Sequence, residues 1–254
     1  MKISIITVTY NRAHVIEGCL ASLIEQSYSN IEHILIDGSS TDETLRVLQK
    51  HAKQIAVLVS EPDKGIYDAL NKGIAHSTGE IVGFLHSDDI YSRIDALQNV
   101  VNVFTDNPNV DMVIGNAVFV DSHESGFVLR KCLSKRFRPW MLRFGFMPPH
   151  TATFLRRSVF ETFGVHRIDY RSAGDFEFFV RTLWQKQVSF HILDQIIISM
   201  LVGGKSTSGL VSYWRTSNEI LKALKDHCIR SNWAFVLIRL PIKYLSQSVF
   251  RFLK

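Results

Sequence analysis

Over its first hundred residues the chain alternates short apolar runs with segments whose apolar side chains recur every three or four positions, and few folds accommodate that rhythm. Residues 3–8 form a β-rich run, and residues 13–26 then carry Val15, Ile16, Leu20, Leu23 and Ile24 at helical spacing. A second apolar run at 31–37 closes in Gly38-Ser39-Ser40-Thr41-Asp42, where a hydroxyl can cap a helix expected to reach about residue 53. Runs at 55–59 and 80–85 flank a further helix expected over 66–76. Strands and helices in this order imply βαβ units, hence an α/β architecture: a doubly wound, mostly parallel sheet with helices on both faces.

In such sheets ligands bind beyond the carboxyl ends of the strands, and Tyr10-Asn11-Arg12, Asp37, Asp63 and Asp88-Asp89 all fall there. Each cluster alone reads as a solvated turn, whereas their convergence on one edge reads as a binding site. The turn after the first strand, Thr9 to Ala13, has no GxGxxG, so a dinucleotide-binding loop is disfavoured, and no GxxxxGK[ST] marks a phosphate-binding loop.

Two acidic features carry chemistry. Asp88-Asp89 at a strand end suit a hard divalent ion that shares its coordination with substrate phosphates; the plainer alternative is a pair of acids before a helix at 90–92. Asp175 stands beside Gly174 and among Phe176, Phe178 and Phe179, a setting that raises a carboxyl pKa and suits proton abstraction from a hydroxyl. A helix-capping aspartate is the alternative, and Glu177 is secondary because two positions along a helix face elsewhere.

Past residue 110 the pattern changes to shorter strands at 110–115, 117–120, 127–130 and 151–155, a helix over 173–185, extended runs at 188–193 and 196–202, and helix through most of 211–254. The charge of +5 resides in Arg230, Arg239, Lys243, Arg251 and Lys254, beyond which the chain is formally balanced. That distribution argues against a nucleic-acid-binding body and for a basic tail. A second acid-free stretch, 125–160, mixes eight Lys or Arg with Phe127, Phe137, Trp140, Phe144 and Phe146. The three cysteines, Cys19, Cys132 and Cys228, are far apart, and Met1-Lys2 leads directly into a strand without a leader pattern, so a reducing cytoplasm is expected. No apolar run reaches the ~18 residues a spanning helix needs. Residues 231–254 read as an amphipathic helix broken near Pro241, either lying on anionic lipid or packed on the domain.

The segments SIITVTYNR (4–12), ILIDGSSTD (34–42), GIYDALNKG (65–73), TGE (78–80), FLHSDD (84–89) and GDFE (174–177) occur in the order and spacing of family 2 glycosyltransferases. The chain resembles that family over residues 2–205, and within it the small enzymes of bacterial surface-polysaccharide assembly, of the colanic acid and O-antigen type. The resemblance implies the GT-A fold: a nucleotide-diphospho-sugar-binding domain over 1–205, with a donor half (1–115) and an acceptor half (116–205), followed by a basic helical extension over 206–254. It further implies an inverting hexosyltransferase that uses a UDP-sugar, Mn²⁺ or Mg²⁺, and a lipid-linked acceptor on a polyprenyl pyrophosphate, peripheral on the cytoplasmic face of the inner membrane.

By that resemblance Val8, Thr9, Tyr10 and Arg12 cradle base and ribose, Asp37 accepts from either, and Asp63 and Lys72 line the same pocket. Asp88 is expected on ribose or donor sugar, Asp89 on the metal, Asp175 as the base, and His150 near the diphosphate or acceptor. The reading Ser87-Asp88-Asp89 departs from a plain Asp-x-Asp. The rival readings are a sugar-nucleotide nucleotidyltransferase, which would need a GxGTRL-type loop after the first strand, and a catalytically inactive nucleotide-sugar-binding or scaffold protein.

Overall fold

The computed structural model describes residues 1–202 and 209–239. The expected boundary at 205/206 and the apolar residues Leu240, Tyr244, Phe250 and Phe252 lie outside the described residues, as does the expected break at Pro241.

The first half follows the sequence pattern. Strands β1 (Ile3–Thr9), β2 (Ile31–Asp37), β3 (Val57–Ser60) and β4 (Ile81–Phe84) alternate with helices α1 (Ile16–Ile24), α2 (Thr44–Lys50) and α3 (Ile66–His76). These strands pair in parallel in the order β3-β2-β1-β4. Successive side chains of a strand face opposite sides of the sheet, so both faces can be apolar. Ile3 and Ile5 of β1 accordingly pack with Cys19 and Leu23 of α1, while Ile6 and Val8 pack with Leu70 and Ile74 of α3.

The second half departs from a mostly parallel sheet. It comprises β5 (Asp89–Tyr91), α4 (Ala96–Asp106), β6 (Met112–Val120), β7 (Val128–Cys132), β8 (Thr153–Arg156), α5 (Arg157–Phe163), α6 (Gly174–Phe179) and β9 (Phe190–Leu201). Strand β8 inserts antiparallel between β4 and β6, β9 runs parallel to β6, and β5 closes the far edge antiparallel to β9. The two short strands expected at 110–120 are one, as are the two expected at 188–202. Polar residues interrupt the apolar pattern without ending the strands: β6 shifts register around Asn116, whose amide donates to Asp194 (3.0 Å) and accepts from the Ser134 N–H (2.7 Å). The helix expected over 173–185 is α6 continuing directly into a π-helix at 180–185.

Helices α7 (Gly209–Asp226) and α8 (Trp233–Leu237) follow. Their Ile220, Ala223, Leu224 and Val236 are buried in the same core cluster as Phe176, Phe178 and Phe179 of α6, so this part of the C-terminal region packs on the domain.

Candidate active site

The carboxyl ends of β1, β2, β3 and β4 open on one edge, and the loops leaving β1 and β2 are sewn together. The Asn11 side-chain oxygen accepts from the Thr41 N–H (2.8 Å), the Asn11 N–H donates to Ser40 Oγ (2.9 Å), and the Arg12 N–H to Thr44 Oγ1 (2.8 Å). Asn11 and Ser39 hold left-handed backbone at φ 52° and 61°, which Asn tolerates better than most residues. Asp37 is fully buried, and its carboxylate accepts from the Ser40 N–H (3.0 Å), the Ser60 hydroxyl (2.6 Å) and the Ser40 hydroxyl. A ligand group reaching Asp37 would have to share it with these partners.

The remaining donor-side residues gather above that frame. Asp63 lies so close over Gly38 that a Cβ there would collide with its carboxylate and stand 3.5 Å from the Tyr10 ring. Glycine at 38 lets the Asp63 carboxylate approach this closely, and a larger side chain there would displace it. Tyr10 is 47% exposed, Val8 and Thr9 are buried beneath it, and the Thr9 hydroxyl has no protein partner. Lys72 on α3 is held by Glu61 (2.7 Å), the Pro62 carbonyl (2.8 Å) and Asp68 (3.8 Å), and the Glu61 bond raises its pKa. Its ammonium braces the β3–α3 loop and would have to leave Glu61 to meet a phosphate.

Asp88 precedes and Asp89 opens strand β5, which removes the alternative of acids at a helix start. Asp89 is 4% exposed. Burial, and next the Asp88 charge, push its carboxyl well above the usual range against an opposing hydrogen bond from Thr151. Two adjacent carboxylates that repel in a low-dielectric setting are stabilised by a cation. No group of three or more His, Cys, Asp or Glu able to hold a metal ion occurs among the described residues. The pair therefore fits a divalent ion only if substrate oxygens and waters complete its coordination, as they do for ions bound through one or two carboxylates.

A stack of rings links this pair to Asp175. His150 is buried, stacks on Phe84 (4.6 Å between centroids) and on His86 (6.1 Å), and meets His166 edge-on (5.4 Å). Burial drives the His150 pKa well below its ordinary value, so the ring is neutral at pH 7, with its Nε2 unpartnered. His166 stacks in turn on Tyr67 (5.8 Å), whose hydroxyl donates to Asp175 Oδ1 (3.1 Å). Gly174 makes this contact possible: a Cβ there would fall 2.8 Å from the Tyr67 ring. Asp175 also accepts from the Phe176 N–H (2.8 Å), and burial raises its carboxyl to about 6 despite these bonds.

The structure thus brings Asp175, His150, Asp88 and Asp89 around one set of rings, with Tyr10, Arg12 and Asp63 on the adjoining loops and Lys72 on α3. Sequence reasoning gave no role to Tyr67, His86, His166 or Thr151. Tyr67 and His86 lie inside the segments 65–73 and 84–89 already singled out, whereas Thr151 and His166 carry no local signal.

A family model described as glycosyl transferase family 2 matches residues 4–164. A PGL/p-HBAD biosynthesis glycosyltransferase of Mycobacterium bovis is 32% identical over 184 residues, 70% of this chain and 68% of that protein. Among solved structures, Staphylococcus aureus TarS 1–349 in complex with UDP-GlcNAc superposes with a TM-score of 0.71 at 18% identity, over 88% of this chain and 66% of that one. The mannosyltransferase PcManGT of Pyrobaculum calidifontis in complex with GDP-Man and Mn²⁺ superposes at 0.64 and 20% identity, over 98% and 82%. The sheet is that of the GT-A enzymes, and the family match runs through every strand-end loop that carries Tyr10, Asp37, Asp63, Asp88 and Asp89. The chain belongs to glycosyl transferase family 2.

Proposed function

We propose that the protein is an inverting, metal-dependent hexosyltransferase that moves a sugar from a nucleotide diphosphate, with UDP the favoured carrier, onto a lipid-linked glycan. The observation that carries this reading is the half-buried Asp175 carboxyl, raised to about 6 by burial and held by Tyr67. A carboxyl so tuned is ionised at pH 7 yet basic enough to take a proton from a sugar hydroxyl as that oxygen attacks. In a single displacement the acceptor O–H proton passes to Asp175, the acceptor oxygen bonds to the anomeric carbon, and the bond from that carbon to the diphosphate oxygen breaks. The configuration inverts, so a UDP-α-sugar gives a β-linkage.

Asp88 and Asp89 would hold a divalent ion, whose charge would neutralise that of the departing diphosphate. Tyr10 offers its exposed ring to a base, and the loops around Asn11, Asp37 and Asp63 fix the rim of the donor pocket. Neutral His150 can hydrogen-bond through Nε2 to a diphosphate oxygen or acceptor hydroxyl without adding a fixed charge.

A peripheral membrane location is supported by a surface of mixed character. Trp140 and Trp214 are 57% and 61% exposed, Trp214 stacks on Trp233 (4.3 Å), and Arg143 lies over Phe235 (5.2 Å). Aromatic rings among Arg and Lys suit an anionic bilayer. No helix of the described residues is long and apolar enough to cross one. This surface fits an acceptor on a polyprenyl pyrophosphate in surface-polysaccharide assembly at the cytoplasmic face of the inner membrane.

Calorimetric titration with UDP, GDP and dTDP, each with Mn²⁺, Mg²⁺ or EDTA, tests the donor side. Metal-dependent binding of one diphosphate, strongest for UDP, is expected; absence of binding under every condition would favour a scaffold. Co-sedimentation with phosphatidylglycerol vesicles tests the membrane side and should weaken in Trp214→Ser.

A further inference from the structure

The segment that delivers Asp175 has no regular structure of its own from residue 164 to 173, yet both its ends are gripped. On the α3 side the Asn71 amide donates to the His166 carbonyl (2.7 Å) and accepts from the His166 N–H (2.9 Å), one turn along the helix from Tyr67. On the other side helix α7 presents Glu219, Lys222 and Asp226, spaced three and seven positions apart and therefore on one face. Lys222 pairs with Asp169 (2.5 Å), and Asp226 accepts from Arg167 (2.9 Å) and from the Tyr170 hydroxyl (3.0 Å).

Glu219 does the most local work. Its carboxylate accepts from three consecutive backbone N–H groups, those of Arg171 (3.0 and 3.2 Å), Ser172 (2.8 Å) and Ala173 (2.9 Å). These groups immediately precede α6, whose N-cap Ala173 has no side chain able to cap it. A carboxylate at a helix start both satisfies orphan donors and meets the positive end of the helix. Here it arrives from another helix 46 to 48 residues later in the chain, beyond the segment the family model matches.

We infer that Glu219 is a positioning residue for Asp175: by fixing the backbone from Arg171 to Ala173 it sets where the base carboxyl stands relative to Tyr67 and the acceptor. This inference rests on the assignment of Asp175 as the base. Glu219 touches no reacting atom in this account. Its negative charge also adds to the effect of burial in raising Asp175.

The test uses the full chain as Glu219→Gln, which keeps one acceptor oxygen and loses the charge, and Glu219→Ala, which removes both. Asp175→Asn serves as the reference. Amide hydrogen exchange reads the backbone hold, and ¹³C-carboxyl titration of the Asp signal that vanishes in Asp175→Asn reads the base; UDP with Mn²⁺ is the binding probe. Expected results are about tenfold faster exchange confined to residues 171–176 in Glu219→Ala, and an Asp175 midpoint lower by roughly half a unit to one unit in Glu219→Gln. UDP binding should stay near wild type. Unchanged exchange and an unmoved midpoint would overturn the positioning role, as would loss of protection throughout α6 and α7 together. The base assignment fails separately: if Asp175→Asn still transfers sugar, that reading falls and Glu219 retains only a structural hold on the loop.

Discussion

Replacing Gly174 with alanine probes the contact on which the Tyr67–Asp175 hydrogen bond depends. The added methyl would stand 2.8 Å from Tyr67 Cε2 and 2.9 Å from Cδ2 and Cζ. That is about 0.7 Å inside ordinary carbon–carbon contact. The ring has little room to retreat, being 6% exposed and stacked on His166. Overpacking of this kind costs about 1–3 kcal/mol, against which alanine regains up to about 1 kcal/mol of helix propensity. The net expectation is a loss of about 1–2 kcal/mol, a fall in Tm of about 3–6 °C for a chain of this size. Urea unfolding of Gly174→Ala, Tyr67→Ala and the double variant measures it: with the ring gone, the methyl should cost nothing or stabilise. An equal cost in both backgrounds would refute a steric origin in Tyr67. Tyr67→Phe keeps the ring, so the cost of Gly174→Ala should persist there.

Asp175→Asn should abolish transfer while leaving diphosphate binding intact, and wild-type turnover should fall below about pH 6 as the base protonates. Because the folded-state pKa is raised, the ionised carboxyl works against folding above about pH 6, and that penalty disappears as the pH falls towards 4. Asp175→Asn should therefore stabilise the protein at pH 7–8 by about 1–2 kcal/mol, a discounted figure for a partly solvated group, and show no advantage at pH 4; denaturant unfolding at the two pH values decides. Glu32 behaves oppositely: burial alone would raise its pKa, but bonds from Lys2, Ser4 and Thr78 lower it to about 2. Its contribution is present above the ordinary pKa of 4.5 and lost as pH falls towards 2, so Glu32→Gln should cost about 2–3 kcal/mol at pH 7 and little near pH 2. UDP at a hundredfold excess over its Kd should stabilise the fold by about 2.7 kcal/mol with Mn²⁺, and a melt with EDTA should show most of that shift gone.

The donor half was legible because its signals are local. Each of the first three strands is followed within seven residues by its own turn chemistry and helix, and Asp37, Asp63 and Asp88 mark the strand ends directly. The sheet beyond β4 was not, because the partners of β8 and β6 lie dozens of residues away and nothing in residues 153–156 announces an antiparallel insertion. Asn116 and Asp194-Gln195 looked like strand ends because polar residues usually are; here Asn116 and Asp194 bond each other across a register shift, and Gln195 accepts from Asn99 (3.0 Å). Asp175 could be singled out from its glycine and phenylalanine neighbours. Tyr67 and Glu219 could not be assigned to it, since they stand 108 and 44 residues away in sequence.

The shared core of α6 and α7 bears on how this protein can be cut and recombined. A chimera joined at the end of β9, close to the domain boundary expected from the sequence, would carry every strand-end loop yet leave behind Glu219, Lys222 and Asp226, and with them Ile220, Ala223 and Leu224 from the core. The recipient helix would have to present an acid, a base and an acid at the same spacing to a loop it had never met. Donor loops in such a fold are portable parts, whereas the base loop and α7 form one inseparable unit of exchange.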